Sequence, residues 1–220
     1  MKYLLLILLG IGYLHHAAAQ RPDMVLPKEK RALAEQSIKD FKEGILVVRL
    51  KTNHRKIQAL ESTINSSQIK PNQKKRYEKI LAATLQKRDE FNVAISEMFL
   101  DSFDFCPVYV MYDTSTKVLQ SGATNGIFVN EQRELDSTIT IPADVPIFMV
   151  NYRVKSGDFP FDVLVLRALE HKLDEPFPYY APLRASWVNN INTPAARKAV
   201  VKLDNRLQRY YDRVVGLPSE

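Results

Sequence analysis

The stretch from Pro71 to Asp113 constrains this chain most. Tyr77, Ile80, Leu81, Leu85, Phe91, Ile95, Met98, Phe99 and Phe103 recur at helical steps, so they fall on one face of a single long helix. Good helix formers fill the middle, and neither Gly nor Pro intervenes between Pro71 and Pro107. The opposite face carries Lys75, Glu78, Lys79, Gln86, Asp89, Glu90 and Glu97, which marks it as wet. A strand follows at once, from Cys106 to Asp113. Val108, Tyr109, Val110 and Met111 avoid charge on both of its faces, the pattern of a central strand covered above and below. A helix feeding into such a strand packs back on its sheet, so the whole stripe is expected to cover that sheet.

The rest of the chain supplies partners for that unit. Lys28 to Phe41 reads as a first helix, with Leu33, Ala34, Ser37, Ile38 and Phe41 on one side and Gly44 as its stop. Ile45 to Leu50 is a strand rich in β-branched residues. Thr52 or Asn53 can cap a short helix from His54 to about Thr63, whose inner side is Ile57, Leu60 and Ile64. Further strands are expected at Ile127–Val129, Leu135–Ile141, Ile147–Val154 and Val163–Leu166. Asp174 to Pro182 holds three prolines and is expected to be irregular, pinned to the body by Phe177, Tyr179 and Tyr180. Thr193-Pro194 opens a final helix, with Val200, Leu203, Leu207, Tyr210 and Val214 inward.

The long interval between the first two strong strands requires a helical crossover, which parallel strands need. Later strands lie close together, as antiparallel ones do. The fold class is therefore α/β, a mixed central sheet flanked by helices and antiparallel toward the C-terminal half. The α+β class is the alternative.

The N-terminus has the layout of a secretory leader. Lys2 precedes an apolar run from Leu4 to Leu14, and Ala17-Ala18-Ala19 offers small residues for cleavage after Ala19. That run is too short to span a bilayer, and no later stretch is apolar enough to do so. The one cysteine, Cys106, is far from the cut, so it takes no lipid there, and a single cysteine forms no internal disulfide. The organisation expected is a leader over 1–19, an arm over 20–27 and one globular domain over 28–220. The mature chain is expected in a periplasm or outside the cell.

Charge is unevenly spread. The whole chain carries +6 at pH 7. Nine Lys/Arg between Arg49 and Lys79 face only Glu61 and Glu78, whereas two between Asp101 and Val150 face seven acids. On the final helix Lys198, Lys202, Arg206, Arg209 and Arg213 follow at steps of four, four, three and four, which aligns them as one basic stripe. A solvated face would explain such a stripe, and so would docking on an anionic surface, glycan or protein. Export points away from nucleic acid.

No residue pattern spells a reaction or a cofactor. Phosphate-loop, dinucleotide and nucleophile-elbow glycine motifs are absent. His15 and His16 leave with the leader, and His54 and His171 do not pair at metal-ligand spacing. Cys106, between Phe105 and Pro107, reads as a buried thiol. The function expected is that of an exported, non-catalytic accessory or binding protein of a bacterial cell envelope, with the basic stripe as its binding residues. The alternative is an envelope hydrolase or transferase using Asp113, the best-placed carboxylate at a strand end.

Overall fold

The computed structural model describes residues 28–155, 161–183 and 194–216. The leader, the arm over 20–27 and the Thr193 cap lie outside these residues. Helix α1 spans Lys28–Glu43, strand β1 Ile45–Leu50, α2 His54–Ile64 and α3 Pro71–Ser102. Strand β2 (Val108–Tyr112) leads through a short turn of 3-10 helix into α4 (Thr116–Gln120). Strands β3 (Ile147–Lys155), β4 (Phe161–Ala168) and β5 (Tyr180–Pro182) follow, then α5 (Pro194–Val215).

The sheet has five strands in the order β2-β1-β3-β4-β5. β1 is parallel to both β2 and β3, while β3–β4 and β4–β5 are antiparallel. This is the α/β architecture expected, with its antiparallel part toward the C-terminus. One face, with Leu46, Val48, Leu50, Phe148 and Val150, packs under α1, α3 and α5. The other, with Ile45, Val47, Met111 and Met149, lies under Leu119 of α4 and the segment holding Ile127, Phe128 and Ile141.

Gly44 is fixed by close approach as well as by its place after α1. A Cβ there would meet the carbonyl oxygens of Pro146 and Asp40, so β1 can start against β3 only from a residue without a side chain. Ile45 N–H then donates to the Pro146 carbonyl at 2.9 Å.

Several expectations need correction. β2 lies at the sheet edge, not at its centre. Its free side is closed by an antiparallel bridge from Met111 to Phe128 and a 2.9 Å hydrogen bond from Val129 N–H to the Val110 carbonyl. Covering an edge in this way protects it from unwanted pairing. Residues 127–129 and 135–141 make isolated bridges rather than strands. Asp136 breaks the second run, because its Oδ1 accepts from Thr138 N–H (2.9 Å) and Thr138 Oγ1 (2.6 Å) and so forms a local turn. Those two bonds hold the Asp136 carboxyl below its usual range. The proline-rich stretch is not wholly irregular: Tyr180–Pro182 pairs with β4, and an edge strand tolerates the missing N–H of Pro182. Phe177, 2% exposed, pins this stretch as expected, against Phe41 and Tyr210.

A further correction concerns α3. Its stripe is buried on the body from Phe91 onward, through Ile95, Met98 and Phe99. Before Phe91 only Thr84 is buried, and Tyr77, Ile80, Leu81 and Leu85 are half-buried. Here α2 packs along α3 in place of the sheet. Nor does α2 have an inner side on the core, since Ile57, Leu60 and Ile64 are also half-buried. Leu33 of α1 is 53% exposed, while the other expected inward residues of that helix are buried.

Candidate functional site

Two basic surfaces and one strand-end cluster concentrate the polar chemistry of the described residues. The cluster lies at the carboxyl ends of β1 and β2. Lys51 N–H donates to Asn92 Oδ1 and Asn92 Nδ2 donates to the Lys51 carbonyl, both at 2.8 Å. The Asn92 carboxamide thus continues the β1 hydrogen-bond ladder onto α3. The Lys51 ammonium sits 3.6 Å from the Phe91 ring centroid and 4.1 Å from that of Tyr152, in cation–π contact with both. Arg49 Nη1 donates to Asn151 Oδ1 at 2.7 Å across β1 and β3.

Asp113 belongs to this cluster. Its Oδ1 accepts from Thr52 N–H at 3.1 Å and from Thr52 Oγ1 at 2.6 Å, and its carbonyl accepts from Thr116 Oγ1 at 2.8 Å. The carboxylate therefore ties the end of β1 to the end of β2. Neither histidine nor lysine is bonded to it among the described residues.

Past this cluster α2 and the first half of α3 form a helical hairpin. Asn92 marks where α3 passes the end of β1, and the residues from Pro71 to Phe91 lie beyond it, a length of about 30 Å. Arg55, Lys56, Lys70, Lys74, Lys75, Arg76 and Lys79 are all exposed on this arm. None of these seven makes an ion pair among the described residues, and Glu61 and Glu78 are the arm's only acids before Asp89. No acid stands in the first turn of α3, whose N-cap is Lys70. A cation near the positive end of a helix is the wrong sign for its dipole, at a cost of about 0.3–1 kcal/mol each.

The second surface is α5. Val200, Leu203 and Leu207 are buried as the sequence implies, and Gly216, at φ 78°, terminates the helix. Of the basic stripe, Lys198, Lys202, Arg209 and Arg213 are exposed. Arg206 is half-buried: its Nη1 donates to the Tyr180 carbonyl at 2.8 Å and its guanidinium lies 5.7 Å from the Tyr180 ring centroid. Arg206, Arg209 and Arg213 line a hollow of about 310 Å³ with Pro178 and Tyr210. Lys198 and Lys202 stand outside it. Burial raises the Tyr210 hydroxyl above its usual range, so that ring stays neutral beside the arginines.

Cys106 is 7% exposed, and burial pushes its thiol up to about 12 despite the nearby Lys42. A protonated, covered thiol is neither a nucleophile nor a metal ligand. A groove of about 560 Å³ lies at the other end of the sheet, where Asp40, Asp144 and Glu170 join His171 among apolar residues. His171 Nε2 and Ser37 Oγ are 3.2 Å apart, but Ser37 is 1% exposed and so closed to a substrate. Among the described residues no group of three or more His, Cys, Asp or Glu is placed to hold a metal ion. No described helix is long and apolar enough to cross a membrane.

Sequence reasoning identified the α5 stripe and Asp113 but not Asn92, Lys51 or Tyr152. A signal for Asn92 existed: it is a polar residue inside the apolar run Phe91–Ile95, at an inward position. Compared with known proteins, the chain matches no family model, no curated protein and no solved structure.

Proposed function

We propose that this chain is an exported, non-catalytic binding protein of a bacterial cell envelope that holds an acidic glycan through α5. The observation that carries the reading is the hollow at Pro178, where Arg206, Arg209 and Arg213 meet. These three make no ion pair among the described residues. Arg206 is preset by the Tyr180 carbonyl, so less freedom is lost when an anion arrives. A guanidinium offers two parallel donors to a sulfate, phosphate or carboxylate. The volume falls within the range of small-ligand sites, about 300–1,000 Å³. Lys198 and Lys202 extend the positive field along the same helix. Export is supported by the leader-like residues 1–19. The role of Asp113 as a fastener between strands, and the protonated state of Cys106, favour binding over catalysis.

The test is binding of a sulfated oligosaccharide, measured by calorimetry. Lys198, Lys202, Arg209 and Arg213 are changed together to Glu, and Arg206 is spared because it also holds β5. Binding should be lost with the unfolding temperature unchanged. Undiminished binding by this variant would remove the reading.

A further inference from the structure

The arm formed by α2 and the first half of α3 is larger than the fold requires. A crossover from β1 to a parallel neighbour needs one helix packed on the sheet. The segment from Phe91 to Ser102 supplies it, with nearly all of the buried residues of α3. α2 has no buried residue at all, and the α3 segment before Phe91 has only Thr84. These helices bury their half-apolar sides on each other and leave the core to the rest of the chain. Asn92, Phe91 and Lys51 fix the arm at its root, so its direction is set by the sheet.

The arm's surface is polar with cations in excess, seven exposed Lys/Arg before Lys87 against Glu61 and Glu78. Lys70, Lys74, Lys75 and Arg76 crowd the far end, where α3 begins, and all four are exposed. Successive residues on a helix point about 100° apart, so Lys74, Lys75 and Arg76 spread around its end. Such a fan converges on no single small anion, and it meets a plane laid across the tip. Among the described residues the exposed large apolar ones are Leu33, Leu100, Val118, Leu135, Val201 and Val215, and none is on the arm. It therefore offers no anchor to a protein groove or to acyl chains. Tyr77, its one Phe, Tyr or Trp before Phe91, is half-buried, and the exposed His54 stands at the root where α2 begins, so the far end offers no stacking platform for bases. A planar array of fixed negative charge is the partner that remains.

We propose that this arm is a docking device for an anionic lipid bilayer, touching phosphate headgroups end-on through Lys70, Lys74, Lys75 and Arg76. The body is then held about 30 Å from the headgroups. Attraction of this kind is peripheral and additive over charges near the surface. The arm is separate from the α5 hollow, and either assignment can fail alone.

The experiment is co-sedimentation of the exported chain with vesicles of phosphatidylcholine mixed with phosphatidylglycerol, against pure phosphatidylcholine. The variant changes Lys70, Lys74, Lys75 and Arg76 to Glu. Because acids suit the start of a helix, this variant should unfold at the same temperature as the parent or higher, which separates lost binding from lost fold. The parent should bind only the anionic vesicles, and the variant should bind them at least about a hundredfold more weakly. The α5 variant should bind vesicles like the parent, and the arm variant should keep the sulfated oligosaccharide. Equal vesicle binding by parent and arm variant would overturn the proposal. So would parent protein that binds both vesicle types alike, or that ignores anionic vesicles while binding single-stranded DNA or another soluble polyanion.

Discussion

Asn92 and Lys51 are joined by two 2.8 Å hydrogen bonds, carboxamide to peptide, where α3 passes the end of β1. Asn92 is 4% exposed, so removing its side chain strands both a peptide N–H and a peptide carbonyl near the core. Asn92→Ala should cost about 2–4 kcal/mol, since each unsatisfied group costs roughly 1–3 kcal/mol. Urea unfolding measures this. Asn92→Ala within about 0.5 kcal/mol of the parent would mean that the arm has no fixed root.

The two halves of α3 should respond differently to truncation. Ile95, 2% exposed, fills space between helix and sheet, and Ile95→Ala should cost about 2–5 kcal/mol. Ile80 is half-buried on the arm, so Ile80→Ala should cost less, about 1 kcal/mol. Equal losses in urea unfolding would show that the arm is part of the core after all.

The sequence is informative about the core half of α3 and silent about what covers its arm half. Helical periodicity shows which face is apolar, but not what covers it. Tyr77, Ile80, Leu81 and Leu85 continue the stripe of Phe91 and Ile95 without a break, yet their cover is α2. The same holds for β2. Apolar residues on both faces imply two covered faces and do not count neighbours, so an edge strand closed by Val129 reads as a central one. Alternation from Leu135 to Ile141 hides a turn that depends on one carboxylate bonding two residues ahead. The α5 stripe was legible because a helix fixes the spacing of its own side chains. The commitment of Arg206 to Tyr180 was not, because it joins residues from different elements.

Asp204 connects α5 to the chain before β2 and gives the fold a pH dependence. Its Oδ1 accepts from Asp104 N–H at 3.0 Å and Phe105 N–H at 2.8 Å. Burial raises its carboxyl above the usual range in spite of these bonds. The folded state therefore holds this proton more tightly than the unfolded chain does. Its contribution is present at pH below the unfolded value and is lost as pH rises through the folded one. Asp204→Asn keeps the acceptor and removes the titration. Its stability relative to the parent should improve as pH rises from the carboxylate range toward neutrality, in thermal unfolding at matched salt. A variant that loses ground over that range would show that the ionised form is favoured, with the Asp104 and Phe105 N–H bonds outweighing burial.

With its thiol pushed up to about 12 and its surface covered, Cys106 should label slowly with a thiol reagent at neutral pH and fully in denaturant. Fast labelling of the folded protein would contradict the burial that removes it from the chemistry.

The most direct test of the central claim is the salt dependence of glycan binding. Exposed guanidinium and ammonium groups act over a Debye length, which shrinks from roughly 30 Å at 0.01 M salt to 3 Å at 1 M. The protein should bind a sulfated oligosaccharide at low salt and release it progressively as salt rises, with the α5 variant near zero throughout. No binding by the parent at low salt, or an affinity indifferent to salt, would contradict an arginine-lined site for an acidic glycan.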